Sequence, residues 1–204
     1  MTPPNHTITT TRLVIRPWQR TDLDAYERWP PFADQLLAIF NHAPRSSLEL
    51  DLEWAAAQLN PSQQFWTIVT DGTVIGRITL RALPDETGSG QLGMLLGAPY
   101  VGQRFGTEAL VGWLQAYFGR WQMQSVTLHV ACWNQRARHM YERVGFAEVR
   151  RYWQTAGLPA DYPFLHEPQY APLAACFRWS QTELYASWTE MCLTRRQWSP
   201  SVAQ

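Results

Sequence analysis

Residues 100–110 run Tyr100-Val101-Gly102-Gln103-Arg104-Phe105-Gly106-Thr107-Glu108-Ala109-Leu110, YVGQRFGTEAL. A short apolar run, Leu92–Leu96, precedes them and is closed by Gly97-Ala98-Pro99. After them Leu110, Trp113, Leu114, Tyr117 and Phe118 recur at helical spacing. The order is therefore strand, glycine-containing loop, helix. Backbone N–H groups at a helix N-terminus lack intrahelical partners and attract anions. From these residues alone the stretch is either an anion cradle or a glycine turn that feeds a core helix. Glu108, in the first helical turn, suits the helix dipole better than catalysis.

Working outward, Arg12-Leu13-Val14-Ile15-Arg16 is strand-like and is stopped by Pro17. Thr21–Asp24 opens a short helix that Trp29-Pro30-Pro31-Phe32 interrupts. Ser46-Ser47-Leu48-Glu49 is a capping box, and its helix ends before Asn60-Pro61. Phe65–Thr70, the Asp71-Gly72 turn and Thr73–Arg81 form a hairpin. Downstream, Val126, Leu128 and Val130 alternate as a strand, and Asn134 caps a helix with a stripe of Ala137, Met140, Tyr141 and Val144, ended by Gly145. Phe146–Gln154 and Ser187–Arg195 close the chain as strands, and residues 155–186 between them stay unassigned. Hairpins mixed with β-α-β units predict an α+β domain with a mixed sheet. The expected layout is a loose tail over 1–10, one domain over 11–198 with an insertion at about 155–186, and a tail over 199–204.

Composition removes several function classes. With 46% hydrophobic and 17% charged residues the chain is globular, and a formal net charge of zero gives no electrostatic footprint for nucleic acid. All 17 basic residues are Arg, which excludes lysine Schiff bases and the Walker lysine. Gly88-Ser89-Gly90-Gln91-Leu92-Gly93 spells GxGxxG, but it leads into strand and then Pro99 rather than into a helix, so it is read as a hairpin loop and not a dinucleotide site. Cys132, Cys176 and Cys192 form no CxxC pair, and their odd number speaks against a disulfide framework. No apolar window reaches transmembrane length and no signal peptide is visible, so the expected location is the cytoplasm and the Asn5-His6-Thr7 triplet is not treated as a glycosylation site. The His, Asp and Glu spacing suggests no metal site.

YVGQRFGTEAL, followed by Asn134-Gln135-Arg136-Ala137 and Met140-Tyr141-Glu142-Arg143-Val144-Gly145-Phe146, resembles the GNAT (GCN5-related) N-acetyltransferases. The TRLVIRPW opening and GTEAL look most like the ribosomal-protein alanine acetyltransferase subgroup. The resemblance covers about residues 10–154 and a closing strand. It implies a GNAT fold, α+β, with a mixed, mostly antiparallel sheet of about seven strands flanked by helices. It also implies transfer of an acetyl group from acetyl-CoA to a primary amine on a small molecule or peptide, with no nucleic-acid or membrane partner; a homodimer is left open. The alternative is a non-catalytic acyl-CoA-binding module of the same fold.

By that resemblance, Val101, Gly102, Gln103, Arg104, Phe105, Gly106 and Thr107 hold the coenzyme A pyrophosphate. Met94, Leu95 and Leu96 lend main-chain groups to pantetheine and thioester, Asn134 contacts the cofactor arm, and Tyr141 is the catalytic acid near the sulfur. The family loop is (Q/R)xxGx(G/A): Val101 replaces the usual Gln or Arg, Arg104 replaces the central Gly, and Gly106 matches. Arg104 is expected at negative φ, with its guanidinium on a coenzyme phosphate. Many relatives carry a Glu on the strand before the loop, where this chain has none, so no base is assigned. Trp29, Pro31 and Phe32, opposed by Trp153, Tyr162, Phe164 and Tyr170, are candidates for an aromatic wall around the amine.

Overall fold

The computed structural model describes residues 6–41, 43–81 and 88–199. The chain divides into two compact units, residues 1–127 with 193–204 and residues 128–192. Among the described residues there are nine strands and four α-helices, an α+β architecture with largely antiparallel pairing. Two strands beyond the expected seven are short: Ile8–Thr9 and Phe177–Trp179.

In the first unit, β1 (Ile8–Thr9), β2 (Val14–Pro17), β3 (Gln63–Thr70), β4 (Thr73–Arg81) and β5 (Ser89–Leu96) pair in sequence order, each antiparallel to the next. Ile8 lies opposite Ile15, so the N-terminal segment is part of the sheet within what the sequence suggested was a tail. The β3–β4 hairpin turns at Asp71 and Gly72, φ 46° and 75°, the two positive angles of a type I′ turn. Gly90 and Gly93 of the GxGxxG run lie inside β5, not in a loop. The preceding hairpin segment, 82–87, falls outside the described residues, as do Asn5, His42 and 200–204.

Helix α1 (Arg20–Glu27) is capped at Gln19, two residues before Thr21, because Asp22 at its third position accepts the Gln19 N–H at 2.8 Å. Helix α2 (Ser47–Leu59) keeps its Ser46–Glu49 box. Helix α3 (Phe105–Leu114) continues as a π-helical turn over Gln115–Arg120. Its buried Trp113 and Tyr117 stack at 4.7 Å, and Trp66 and Trp121 complete an aromatic core. Trp18, Leu23, Tyr26 and Leu50 form another buried cluster, against which Trp29, Trp54 and Phe65 pack. It ties α1 and α2 to the sheet.

The second unit holds most of β6 (Ser125–Ala131), α4 (Gln135–Val144), β7 (Ala147–Gly157), β8 (Phe177–Trp179) and nearly all of β9 (Leu184–Thr194). Both β7 and β8 pair antiparallel with β9. The unassigned stretch takes in the end of β7, three 3₁₀ segments, β8 and the start of β9. A Cys132–Cys176 disulfide, Cα–Cα 5.5 Å, pins it, which corrects the expectation from cysteine number: the third residue, Cys192, is free. An odd count excludes a complete framework but not one bridge between residues 44 apart. No helix among the described residues is long and apolar enough to cross a membrane.

Candidate active site

The loop after β5 is built to leave donors open. Tyr100 N–H bonds to Gly97 O at 2.9 Å and Val101 N–H to Ala98 O at 3.4 Å, which curls the chain back. Gln103 Nε2 donates to Pro99 O at 2.7 Å across the loop. Among the described residues the N–H groups of Gly102 to Thr107 reach no acceptor, and Glu108 N–H is the first to bond, to Arg104 O at 3.1 Å. Six N–H donors at the start of a ten-residue helix are a donor set of the kind that attracts anions.

Arg104 is the residue before this helix, with φ 65° and ψ 3°. That is the left-handed region, contrary to the negative φ expected of a side chain there. Turning the chain from the 3₁₀ segment into α3 demands it. Gly102, φ 87°, takes the same sign without strain. The Arg104 side chain is exposed, and among the described residues it has no hydrogen-bond or ion-pair partner.

Glu108 braces the cradle from behind. It accepts Thr10 Oγ1 at 2.6 Å, Arg12 N–H at 2.7 Å and Arg12 Nε at 2.7 Å. The Arg12 guanidinium also bonds Gln103 O at 3.3 Å and lies 4.5 Å from the Phe105 ring centre. Burial works to raise the Glu108 carboxyl, but the hydrogen bonds from Thr10 and Arg12 outweigh it and hold it below the usual range. Glu108 is thus a structural anchor as well as a dipole partner.

A cavity of about 590 Å³ opens beside the end of β5, lined among others by Tyr26, Trp29, Phe32, Phe40, Leu95 and Gly97. Its walls are fixed. The Trp29 indole N–H donates to Val74 O at 3.1 Å, and a Cβ on Gly97 would stand 2.7 Å from that ring. Phe32 and Phe40 meet edge-on at 6.1 Å, and Asn41 clasps the Phe32 backbone from both sides, accepting its N–H at 2.7 Å and donating to its carbonyl at 3.1 Å. The Tyr26 hydroxyl donates to Thr67 Oγ1 at 3.3 Å, since Thr67 spends its own proton on Asp22 at 2.6 Å. Asp22, 1% exposed, also takes two bonds from Arg16, at 2.8 and 2.6 Å. Burial raises the Asp22 carboxyl, but the bonds from Arg16 and Thr67 prevail and lower it. Burial pushes the Tyr26 hydroxyl up to about 12.

In the second unit, Asn134 caps α4 through Oδ1, which accepts the Ala137 N–H at 3.3 Å. Tyr141 lies on the buried face of α4, 7% exposed, with its ring 5.7 Å from Phe146. Burial alone pushes its hydroxyl up to about 12, and among the described residues that hydroxyl has no hydrogen-bond partner.

A family model described as an acetyltransferase (GNAT) domain matches residues 12–147. The chain belongs to the GNAT acetyltransferase family. Solved structures agree on the fold. A Vibrio cholerae spermidine N-acetyltransferase in complex with CoA and spermine superposes with a TM-score of 0.67 at 17% identity, over 92% of this chain and 98% of that one. A chimera of a Vibrio cholerae spermidine N-acetyltransferase gives a TM-score of 0.67 at 18% identity, covering 91% and 97%. A further structure of the Vibrio cholerae spermidine/spermine enzyme, in complex with manganese ions, gives 0.62 at 16% identity, covering 91% and 94%. Among the described residues of this GNAT chain, no group of three or more His, Cys, Asp and Glu is placed to hold a metal ion.

Of the residues singled out in this GNAT sequence, Val101 to Thr107 form one continuous cradle, while Trp29, Pro31, Phe32 and Leu95 come together around the cavity. Met94 and Leu96 flank Leu95 on β5, opposite Ile78 and Gly76 of β4. Asn134, Tyr141 and Trp153 belong to the second unit. The rings expected as an opposing wall pack on one another there: Tyr162–Phe164 at 5.9 Å and Phe164–Tyr170 at 5.2 Å. Trp153 carries the Arg178 guanidinium 3.9 Å from its ring centre. In the first unit Tyr26 and Phe40 also line the cavity. These two, and the charged lining residues Glu27, Arg45, Glu53 and Arg77, were missed because they come from five separate stretches of chain and none carries a local motif. A capping box was the one signal near Arg45, and it reports helix start, not site.

Proposed function

We propose that this GNAT protein transfers the acetyl group of acetyl-CoA to a primary amine by direct attack on the thioester, as one catalytic domain over residues 11–198. The observation that carries the reading is a juxtaposition in the first unit. An aromatic cavity ends at Leu95, Gly97 and Ala98, and the anion cradle begins at Val101. A cationic amine fits the first, through the faces of Trp29, Phe32 and Tyr26. A diphosphate fits the second.

Acetyl-CoA supplies an activated carbonyl carbon and a thiolate leaving group. The chain's part is to position and to stabilise charge. Gly102–Thr107 amides hold the diphosphate, main-chain groups of Met94–Leu96 hold the thioester arm, and Asn134 keeps α4 capped where the family contacts that arm. Donors aimed at the carbonyl oxygen stabilise the charge that develops there. Tyr141, protonated at neutral pH as an ordinary tyrosine is and pushed further up by its burial, gives its proton to the departing sulfur. The amine loses its own proton to water, because the two carboxylates lining the cavity, Glu27 and Glu53, are both paired with Arg45. No step in this scheme requires a metal. The partners are a small-molecule or peptide amine, not nucleic acid or membrane, and the place of action is the cytoplasm.

A second reading, coenzyme binding without turnover, is favoured by the strained Arg104 and by the lack of a carboxylate on β5. Thiol release from acetyl-CoA across a panel of amines tests the choice. Turnover with at least one amine, falling about 100-fold in Tyr141→Phe with coenzyme affinity retained, supports transfer. Tight acetyl-CoA binding with no thiol release for any amine supports the binding module.

A further inference from the structure

We propose that the acceptor is a primary amine that also bears a carboxylate, and that Arg77 is the residue that selects it; this rests on the transfer reading above. Among the described residues, four charged side chains line the cavity: Glu27, Arg45, Glu53 and Arg77. Three of them form one ion-pair network, in which Arg45 serves both carboxylates. Arg45 bonds Glu27 through its backbone N–H at 3.0 Å, Nε at 2.9 Å and Nη2 at 2.6 Å, and reaches Glu53 through Nη1. Arg77 is left over. It is half-buried on β4, and among the described residues its guanidinium has neither a hydrogen-bond acceptor nor an ion-pair partner. Its nearest compensation is the Tyr26 ring, 5.8 Å from Cζ and at the outer limit of a cation–π contact.

A guanidinium partly withdrawn from water is costly until an anion meets its paired donors, and a carboxylate does so with two parallel bonds. Arg77 is paired across the sheet with Leu95, and Gly97, under the Trp29 ring, lies two residues after Leu95, just past the end of β5. Cross-strand neighbours are about 5 Å apart. The carboxylate and amine stations are therefore within one small molecule, while Tyr26, Phe32 and Phe40 suit an apolar side chain. A polyamine would find both described carboxylates of this lining already bonded to Arg45 and would face the guanidinium of Arg77. A free α-amino acid and a peptide with an acidic residue beside its N-terminus both supply the required pair of groups.

Calorimetry with free coenzyme A present, so that no turnover occurs, compares phenylalanine, phenethylamine, an amidated dipeptide with an acidic second residue, and spermine. Either carboxylate-bearing amine should bind at least about 10-fold more tightly than phenethylamine, as one charge-assisted pair provides. Which of the two binds better identifies the source of the carboxylate. The preference should shrink to about 2-fold or less in Arg77→Met and fall part-way in Arg77→Lys, which keeps the charge but not the fork. Should Arg77→Met fail to fold, Arg77→Lys carries the comparison. Equal or tighter binding of phenethylamine or spermine, a preference that survives both substitutions, or no binding by any carboxylate-bearing amine overturns the proposal. Thiol release without a carboxylate preference sinks this inference alone. A carboxylate preference in binding without thiol release sinks only the transfer reading.

Discussion

Glu108→Gln tests how the cradle is held. Gln keeps the size of the side chain and an oxygen for Thr10 Oγ1 and the Arg12 N–H, but loses the charge and places an amide against Arg12 Nε, 2.7 Å from Oε2 in the native protein. An ion pair at this spacing has a gross attraction of about 6 kcal/mol at an effective dielectric of 20. Arg12 is 44% exposed and Glu108 19%, so solvent screening reduces the pair to about 1 kcal/mol. The two remaining bonds each lose charge assistance, roughly half their strength, which adds about another 1 kcal/mol. The expected loss is therefore about 2 kcal/mol, a factor of about 30 in the folding constant. Because the Glu108 carboxyl is depressed in the folded chain, its contribution is full above the ordinary glutamate value of about 4.3 and is lost as pH falls through the lower folded value. Urea unfolding of both proteins at pH 7 and at pH 3 reads the difference. A gap of about 2 kcal/mol at pH 7 that closes in acid is expected. A gap below about 0.5 kcal/mol at pH 7, or one equally large at both pH values, would refute the anchor.

Arg104→Gly should stabilise the fold by up to about 1 kcal/mol, since φ 65° is strained for Arg and free for Gly, partly offset by the looser unfolded chain. Coenzyme A affinity in the same variant, by calorimetry at two salt concentrations, should be equal or tighter; a several-fold loss would show that the guanidinium reaches a phosphate. Gly97→Ala puts a Cβ 2.7 Å from the Trp29 ring and should raise the acceptor KM several-fold by displacing it, with coenzyme binding retained, in steady-state kinetics. Cys132→Ser with Cys176→Ser opens a loop of 44 residues and should cost up to about 4 kcal/mol in urea unfolding under non-reducing conditions. A loss that is the same with and without reductant would show that packing, not the bond, accounts for it.

Much of the architecture was present in local patterns. The Asp71-Gly72 turn, the Ser46–Glu49 box and the Asn134 cap are each set by neighbours within four residues, so spacing alone located them. The glycine loop ahead of the Trp113 stripe is of the same kind, and with the MYERVGF run it was enough to indicate the family. Boundaries failed where a partner distant in the chain decides: Ile8–Thr9 is a strand only because Ile15 lies beside it, and Arg104 takes a left-handed angle only because the loop must turn into α3. Cys132 and Cys176 meet because the intervening strands and 3₁₀ segments return the chain to the same place. The cavity is the clearest case. Trp29 and Phe32 were visible as aromatics, but the pairing of Glu27 and Glu53 with Arg45, and the lack of a described ion-pair partner for Arg77, arise from four separate stretches of chain. Sequence spacing specifies which groups a turn or a helix face presents. Which charges cancel and which remain for a ligand depends on distances across the fold.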